Sequence, residues 1–144
     1  MFTVRDILRE KGDQVFAISP DASVYEALKE MEAKNVGALL VFEGKALVGI
    51  ISERDYARKI ILRQKHSQNT PVRDVMTTEM LTVTPDKRLD ECMQLITDKR
   101  IRHLPVIENE AVAGVISIGD IVKGIIEHKE FVIEQLERYI KGHR

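Results

Sequence analysis

Two stretches of this 144-residue chain carry residue types at a spacing that could do chemistry: Gly49-Ile50-Ile51-Ser52-Glu53-Arg54-Asp55 and Gly114-Val115-Ile116-Ser117-Ile118-Gly119-Asp120. In each, a glycine and two β-branched apolar residues lead into Ser-x-x-Asp. The apolar pair reads as the end of a buried strand, the serine as the N-cap of a helix, and the aspartate as a first-turn residue. A hydroxyl, a carboxylate and backbone N–H groups without intrahelical partners converge at such a helix start. That combination suits a ribose diol beside a phosphate. The ionised aspartate supplies acceptors, the serine donates or accepts, and the helix terminus adds partial positive charge. The same Ser-x-x-Asp is equally a capping box, which starts a helix whether or not anything binds.

The elements that must hold these motifs come from a duplication. Residues 15–62 align without a gap on residues 80–127, with 14 identities in 48 positions, against about three expected from ordinary composition. Pro20/Pro85, Asp21/Asp86, Glu43/Glu108, Gly49/Gly114, Ser52/Ser117 and Asp55/Asp120 are among them. Upstream, Val4-Arg5-Asp6-Ile7 is echoed by Val72-Arg73-Asp74-Val75. Each unit begins with a short helix or turn, Thr3–Glu10 and Pro71–Met76, with Thr70-Pro71 as an N-cap and N1 pair. A brief strand follows, Val15–Ile18 and Leu81–Val83. The next helix opens in the first unit on the capping box Ser23-x-x-Glu26 and aligns Val24, Ala27, Leu28 and Met31, with Leu89, Cys92, Met93 and Ile96 as counterparts. A hairpin then pairs Ala38–Phe42 with Ala46–Ile51, and His103–Ile107 with Val112–Ile116. A helix closes each unit after its Ser-x-x-Asp. Arg63–Asn69 reads as a polar linker. Beyond the second unit an extra helix, Lys129–Lys141, offers Phe131, Leu136 and Ile140 as packing contacts.

Composition narrows the function classes. The chain is 44% hydrophobic and 31% charged, enough to bury a core. Lys and Arg number 22 against 23 Asp and Glu, a balance that argues against nucleic acid or an anionic membrane as partner. No apolar run reaches the length of about 18 residues that a membrane span needs, so a cytoplasmic protein is expected. Cys92 is the single cysteine and can form no intrachain disulfide. His66, His103, His128 and His143 show no metal-ligand spacing. No nucleophile pattern and no Gly-x-Gly-x-x-Gly loop is present, which points away from an enzyme. Arg54, Arg58, Lys59 and Arg63 read as the solvated face of an amphipathic helix.

Strand–helix–strand–strand–helix, duplicated, with Gly-apolar-apolar-Ser-x-x-Asp closing each copy and Ile101-Arg102-His103-Leu104-Pro105-Val106 leading into the second hairpin, resembles the CBS-domain pair, or Bateman module. The resemblance implies an α+β fold: two β-α-β-β-α repeats about a pseudo-twofold axis, over residues 1–65 and 70–128, plus a C-terminal helix over 129–144. It also implies clefts between the repeats that bind adenosine ligands such as AMP, ADP, ATP, NAD(H) or S-adenosylmethionine, with AMP the leading choice. One cleft would take ribose contacts from Ser117 and Asp120, with adenine against Ala17, Val36, Gly37 and Val115. The other would use Ser52 and Asp55, with Ile50, Thr82 and Ile101 near the base. Arg102 and His103 map to phosphate-facing positions, and Arg54 adds a charge in the Ser52 cleft. Gly37 leaves room for a flat base, and Gly119 lets backbone approach closely.

The two copies differ in charge. Arg102-His103 stands where the first repeat has Gly37-Ala38, and Glu53-Arg54 becomes Ile118-Gly119. The expectation is a non-enzymatic regulatory sensor, with no metal and no catalytic cofactor, acting as a homodimer on a partner protein. The alternative is a CBS pair that serves as an unliganded dimerisation scaffold.

Overall fold

The structure is a computed structural model describing residues 2–12 and 14–142. His143 and the outermost residues of the expected first repeat and last helix, 1 and 144, lie outside the described residues. In chain order the elements are α1 (Val4–Lys11), β1 (Ala17–Ile18), α2 (Val24–Lys34), β2 (Ala38–Glu43), β3 (Ala46–Ser52) and α3 (Glu53–Tyr56), which continues as a π-helical turn over Ala57–Ile61. A 3₁₀ turn (Val72–Asp74), α4 (Leu89–Lys99), β4 (His103–Glu108), β5 (Ala111–Ser117) and α5 (Ile118–Gly142) complete it. The fold is α+β, in two compact units: residues 14–81, and residues 2–12 with 82–142. Each unit holds one strand–helix–hairpin repeat and the leading segment of the other repeat.

In the unit of residues 14–81, Ser23 starts α2 by accepting from the Glu26 N–H at 3.0 Å, and Asn35 ends it in the left-handed conformation (φ 55). That spacing turns Val24, Ala27 and Met31 onto Leu39, Val41 and Ile51 of the hairpin, with Ile60, Val72 and Val75 closing the core. β1 runs parallel to β2, which pairs antiparallel with β3. The other unit repeats the plan with Leu89, Cys92 and Ile96 of α4 buried beside Leu104, Val106 and Ile116, and with Val4 and Ile7 of α1 and Ile121 of α5.

Three sequence expectations need correction. Both brief strands are shorter than expected: Val15–Ile18 is reduced to Ala17–Ile18, and Leu81–Val83 to a single parallel bridge, Val83 to Val106. In the first repeat the Leu40 N–H donates to the Phe16 carbonyl at 3.1 Å. The matching position is Pro105, which has no N–H to give. Thr70 is not an N-cap; it is buried and its hydroxyl donates to the His66 carbonyl at 2.8 Å. Finally, no boundary separates a closing helix from an extra one near residue 128. α5 is one 25-residue helix, since no Gly or Pro interrupts residues 125–141 and the Glu134–Arg138 pair supports it at i,i+4.

An arginine clamp repeats the symmetry. Arg5 reaches Asp86 at 3.4 Å and Glu108 at 2.8 Å, and Arg73 reaches Asp21 at 3.0 Å and Glu43 at 2.9 Å. The repeated acids at 21/86 and 43/108 thus fasten each leading segment onto a hairpin. The echo Val-Arg-Asp is explained by the same docking: its valine is fully buried and its arginine is clamped.

Candidate functional site

β3 ends at Ser52, whose hydroxyl opens α3. Ser52 Oγ accepts from the Asp55 N–H at 3.3 Å, while Asp55 Oδ2 accepts from the Ser52 N–H at 3.0 Å and its hydroxyl at 3.1 Å. The other carboxylate oxygen, Oδ1, accepts from the Thr77 hydroxyl at 3.3 Å and lies 3.2 Å from Lys59 Nζ. Lys59 also donates to the Val75 carbonyl at 2.7 Å. It is therefore a partner of the motif and not part of a solvated face. Ile50 exchanges backbone bonds with Thr77, at 3.0 and 2.8 Å, and the Glu53 N–H donates to the Gly37 carbonyl at 3.1 Å. Gly37, Ile50, Ser52 and Asp55 are thereby drawn together.

The second motif has the same cap and a different neighbourhood. Ser117 Oγ accepts from the Asp120 N–H at 3.1 Å, and Asp120 Oδ2 accepts from the Ser117 N–H at 2.8 Å. Lys11, at the end of α1, donates to Asp120 Oδ2 at 2.7 Å and to the Val115 carbonyl at 2.9 Å. His103 faces Ser117 across the β4–β5 pair, where the first repeat places Ala38 opposite Ser52. The Ile118 N–H donates to the Arg102 carbonyl at 2.9 Å. Arg102, His103, Val115, Ser117 and Asp120 thus gather at one helix start. Burial raises the cost of charge on Asp120, but the bonds from Lys11 and the Ser117 N–H outweigh it and hold the carboxyl below the usual range.

Burial pushes the His103 imidazole below its ordinary value of 6.5; nearby Lys11 and Arg102 push the same way and Asp120 opposes them. A depressed folded value means the stability contribution is complete above the unfolded value and is lost as pH falls through the folded one. Denaturant unfolding between pH 7 and 5 should therefore show stability falling on acidification, with a shallower slope in His103→Gln. Equal slopes would contradict the assignment.

The remaining expected residues occupy simpler positions. Ala17 is exposed on β1 opposite Leu40, Val36 follows α2 with its N–H on the Met31 carbonyl, Arg54 is half-buried in α3, Thr82 is exposed before the Val83 bridge, and Ile101 follows α4 with its N–H on the Ile96 carbonyl. Among the described residues no hydrogen bond ties Ala17, Val36, Thr82 or Ile101 to either carboxylate. At Gly119 an added Cβ would come no nearer than 3.6 Å to Ser117 Oγ, so the protein's own packing leaves space at this position. Sequence reading missed Lys11, Lys59 and Thr77. The i,i+4 spacing of Asp55 and Lys59 was a usable signal, whereas nothing local links Lys11 to Asp120.

Among the described residues no group of three His, Cys, Asp or Glu is placed to hold a metal ion, and no helix is long and apolar enough to cross a membrane. A family model described as "CBS domain" matches residues 4–62 and 72–127. The chain is similar to the Arabidopsis thaliana "CBS domain-containing protein CBSX3, mitochondrial", at 44% identity over 97% of this chain and 72% of that protein. It is similar to YhcV of Bacillus subtilis at 33% identity, with 84% of each chain covered. Among solved structures, a protein with CBS domains from Burkholderia ambifaria aligns with TM-score 0.85 at 43% identity, covering 88% of this chain and 95% of that one. At 24% identity the fold also matches the CBS pair of protein MJ0100, solved with 5′-methylthioadenosine and S-adenosyl-L-methionine (TM-score 0.77, 90% of this chain and 98% of that one).

Proposed function

This chain belongs to the CBS-domain family, and from that premise we propose that it is a non-enzymatic regulatory module that binds an adenosine-containing ligand at its Ser-x-x-Asp helix starts. The observation that carries the reading is the second helix start. There, a carboxylate held ionised, a serine hydroxyl, a helix N-terminus and two cations, Lys11 and Arg102, share one locality, with the buried His103 ring beside them. An ionised aspartate accepts from a ribose diol, and the cations suit a phosphate. AMP leads the candidates, with ADP, ATP, NAD(H) and S-adenosylmethionine behind it, and the cytoplasm is the proposed compartment. Isothermal titration with AMP, ATP, NAD(H) and S-adenosylmethionine tests this. Binding of at least one is expected, and failure of all at millimolar concentration would refute it.

The module is proposed to act as a homodimer, seamed by α5. Residues 129–142 are exposed throughout, so the packing helix expected from sequence does not pack on this chain's described residues. Ile126, Ile133 and Ile140 recur every seventh residue, with Val122, Lys129 and Leu136 in the intervening row, an a/d pattern of a helix partnered by a helix with one polar position. An antiparallel second copy centred near residue 131 pairs Ile126 with the partner's Leu136 and Ile140 with the partner's Val122. The flanking row then brings Lys123 near the partner's Glu137 and Glu130 near the partner's Glu130, so the apolar match along α5, not charge, argues for a second copy as occupant. Ile133→Asp with Leu136→Asp should weaken self-association by about 100-fold or more, read by light scattering at micromolar concentration. A wild-type monomer at that concentration would contradict the proposal.

A second reading, an unliganded scaffold, draws on one observation: both carboxylates are already satisfied within the chain, Asp55 by Lys59 and Thr77 and Asp120 by Lys11. That reading requires partner binding to be indifferent to Asp55→Ala and Asp120→Ala.

A further inference from the structure

The cation on each motif carboxylate comes from a different place in the two repeats. Asp55 is held by Lys59, four residues along the same helix, and its side chain is only 13% exposed. The position matching Lys59 in the second repeat is Gly124, where even a Cβ would come within 2.7 Å of Leu89 Cδ1. A side chain there would have to displace Leu89 of the core. The cation on Asp120 is supplied instead by Lys11, from a helix 109 residues away in sequence.

We propose that Lys11 is the ligand-reading residue of the Ser117–Asp120 site, bonded to Asp120 in this structure and transferring to the phosphate when a nucleotide's ribose takes the carboxylate. This rests on the adenosine-ligand reading above and adds the ligand class: a phosphorylated nucleoside, in preference to the nucleoside. Three observations carry it. Lys11 Nζ lies on the oxygen, Asp120 Oδ2, that also takes the Ser117 N–H, so a ribose diol that engages both carboxylate oxygens competes with the ammonium at Oδ2. Lys11 also occupies the carbonyl of Val115, a residue expected beside the base. Its side chain is 41% exposed and Asp120's is 25% exposed, so the pair is of the solvent-reached kind that is weakly held and opens readily.

A displaced ammonium needs a new anion. Lysine is a flexible point charge that can swing several ångströms while α1 stays docked, and α1 is anchored independently by Arg5 on Glu108 and by buried Val4 and Ile7. An incoming phosphate provides that anion, beside Arg102 and His103. A neutral nucleoside has none, so it breaks the Lys11–Asp120 pair without compensation. The site should therefore discriminate by the charge on the ligand, with Lys11 as the discriminating group.

The test is titration of AMP and of adenosine into the full chain carrying Asp55→Ala, so that the second site is read, with Lys11 intact, as Lys11→Met and as Lys11→Arg. With Lys11 intact, AMP should bind more tightly than adenosine. Lys11→Met should cut the AMP-to-adenosine affinity ratio by about tenfold or more, the scale of one charge-assisted hydrogen bond, while adenosine binds as well or better. Lys11→Arg should keep most of the preference. An unchanged ratio in Lys11→Met, with both ligands still binding, overturns the role of Lys11 and leaves the nucleotide site standing. No binding of either ligand to any version overturns the site and this inference together.

Discussion

Asp120→Ala is expected to weaken AMP binding at the second site by about 100-fold or more, because the ribose loses its charged acceptor and Lys11 and the Ser117 N–H lose their shared partner. Asp120→Asn separates the two roles of this residue. Its side-chain oxygen can still accept from the Ser117 N–H and preserve the helix start, but it carries no charge. The cap then survives and the ligand affinity still falls. A stability loss of only about 1 kcal/mol is expected for the alanine variant, the usual size for a cap, so circular dichroism should show a folded protein that titration shows to be deaf to AMP. Unchanged AMP affinity in folded Asp120→Ala would mean that the Ser-x-x-Asp serves the helix alone.

The second large effect is structural. Gly49→Ala should cost about 2–3 kcal/mol, within the range for overpacking a closed core. An added Cβ would come within 2.7 Å of Met76 Sδ and 3.0 Å of the Thr77 carbonyl oxygen. The methionine can bend away, but the carbonyl cannot easily do so, since it takes the Ile50 N–H in the bridge that seats Thr77 against Asp55. Gly114→Ala meets only Leu8 side-chain carbons, the nearest at 2.7 Å, so it should cost visibly less. Thermal unfolding of the two variants checks the order. Equal melting temperatures would show that the Thr77 backbone is not the obstacle.

Much of this was legible from residues alone. Both hairpins fall within a residue or so of their expected limits because apolar runs flank the polar turns Glu43-Gly44-Lys45 and Glu108-Asn109-Glu110, though the register shifts between Val41 and Phe42 and between Val106 and Ile107 were not foreseen. The Ser-x-x-Asp caps formed as read because capping is a local interaction. What escaped was nonlocal. Pro105, useful as a family hallmark, also erased most of a strand, an effect visible only once Leu40 is seen donating to Phe16. Lys11 reads as an ordinary last-turn lysine until α1 is found docked on the second hairpin. The repeated Asp21/Asp86 and Glu43/Glu108 counted as identities, but the arginines they clamp lie 52, 81, 30 and 103 residues away. The heptad spacing of α5 was present in the sequence and was hidden by dividing one helix into two.

The repeats thus share a backbone plan and differ in where their charges come from. Ser52–Asp55 is closed by its own helix, through Lys59, and by Thr77. Ser117–Asp120 is served by a lysine from a separate segment and faced by a histidine whose burial disfavours its charged form. On the proposal above, the second site exchanges an internal ion pair for a ligand's anion while α1 stays docked. A ligand shifts such an arrangement only by as much as it binds one state better than the other.

The most direct test is a crystal structure of the full chain grown with millimolar AMP. The account predicts ribose hydroxyls on the Asp120 carboxylate, with Lys11 Nζ moved from that carboxylate to the phosphate. Ordered AMP bound elsewhere, with Lys11 still on Asp120, would contradict it.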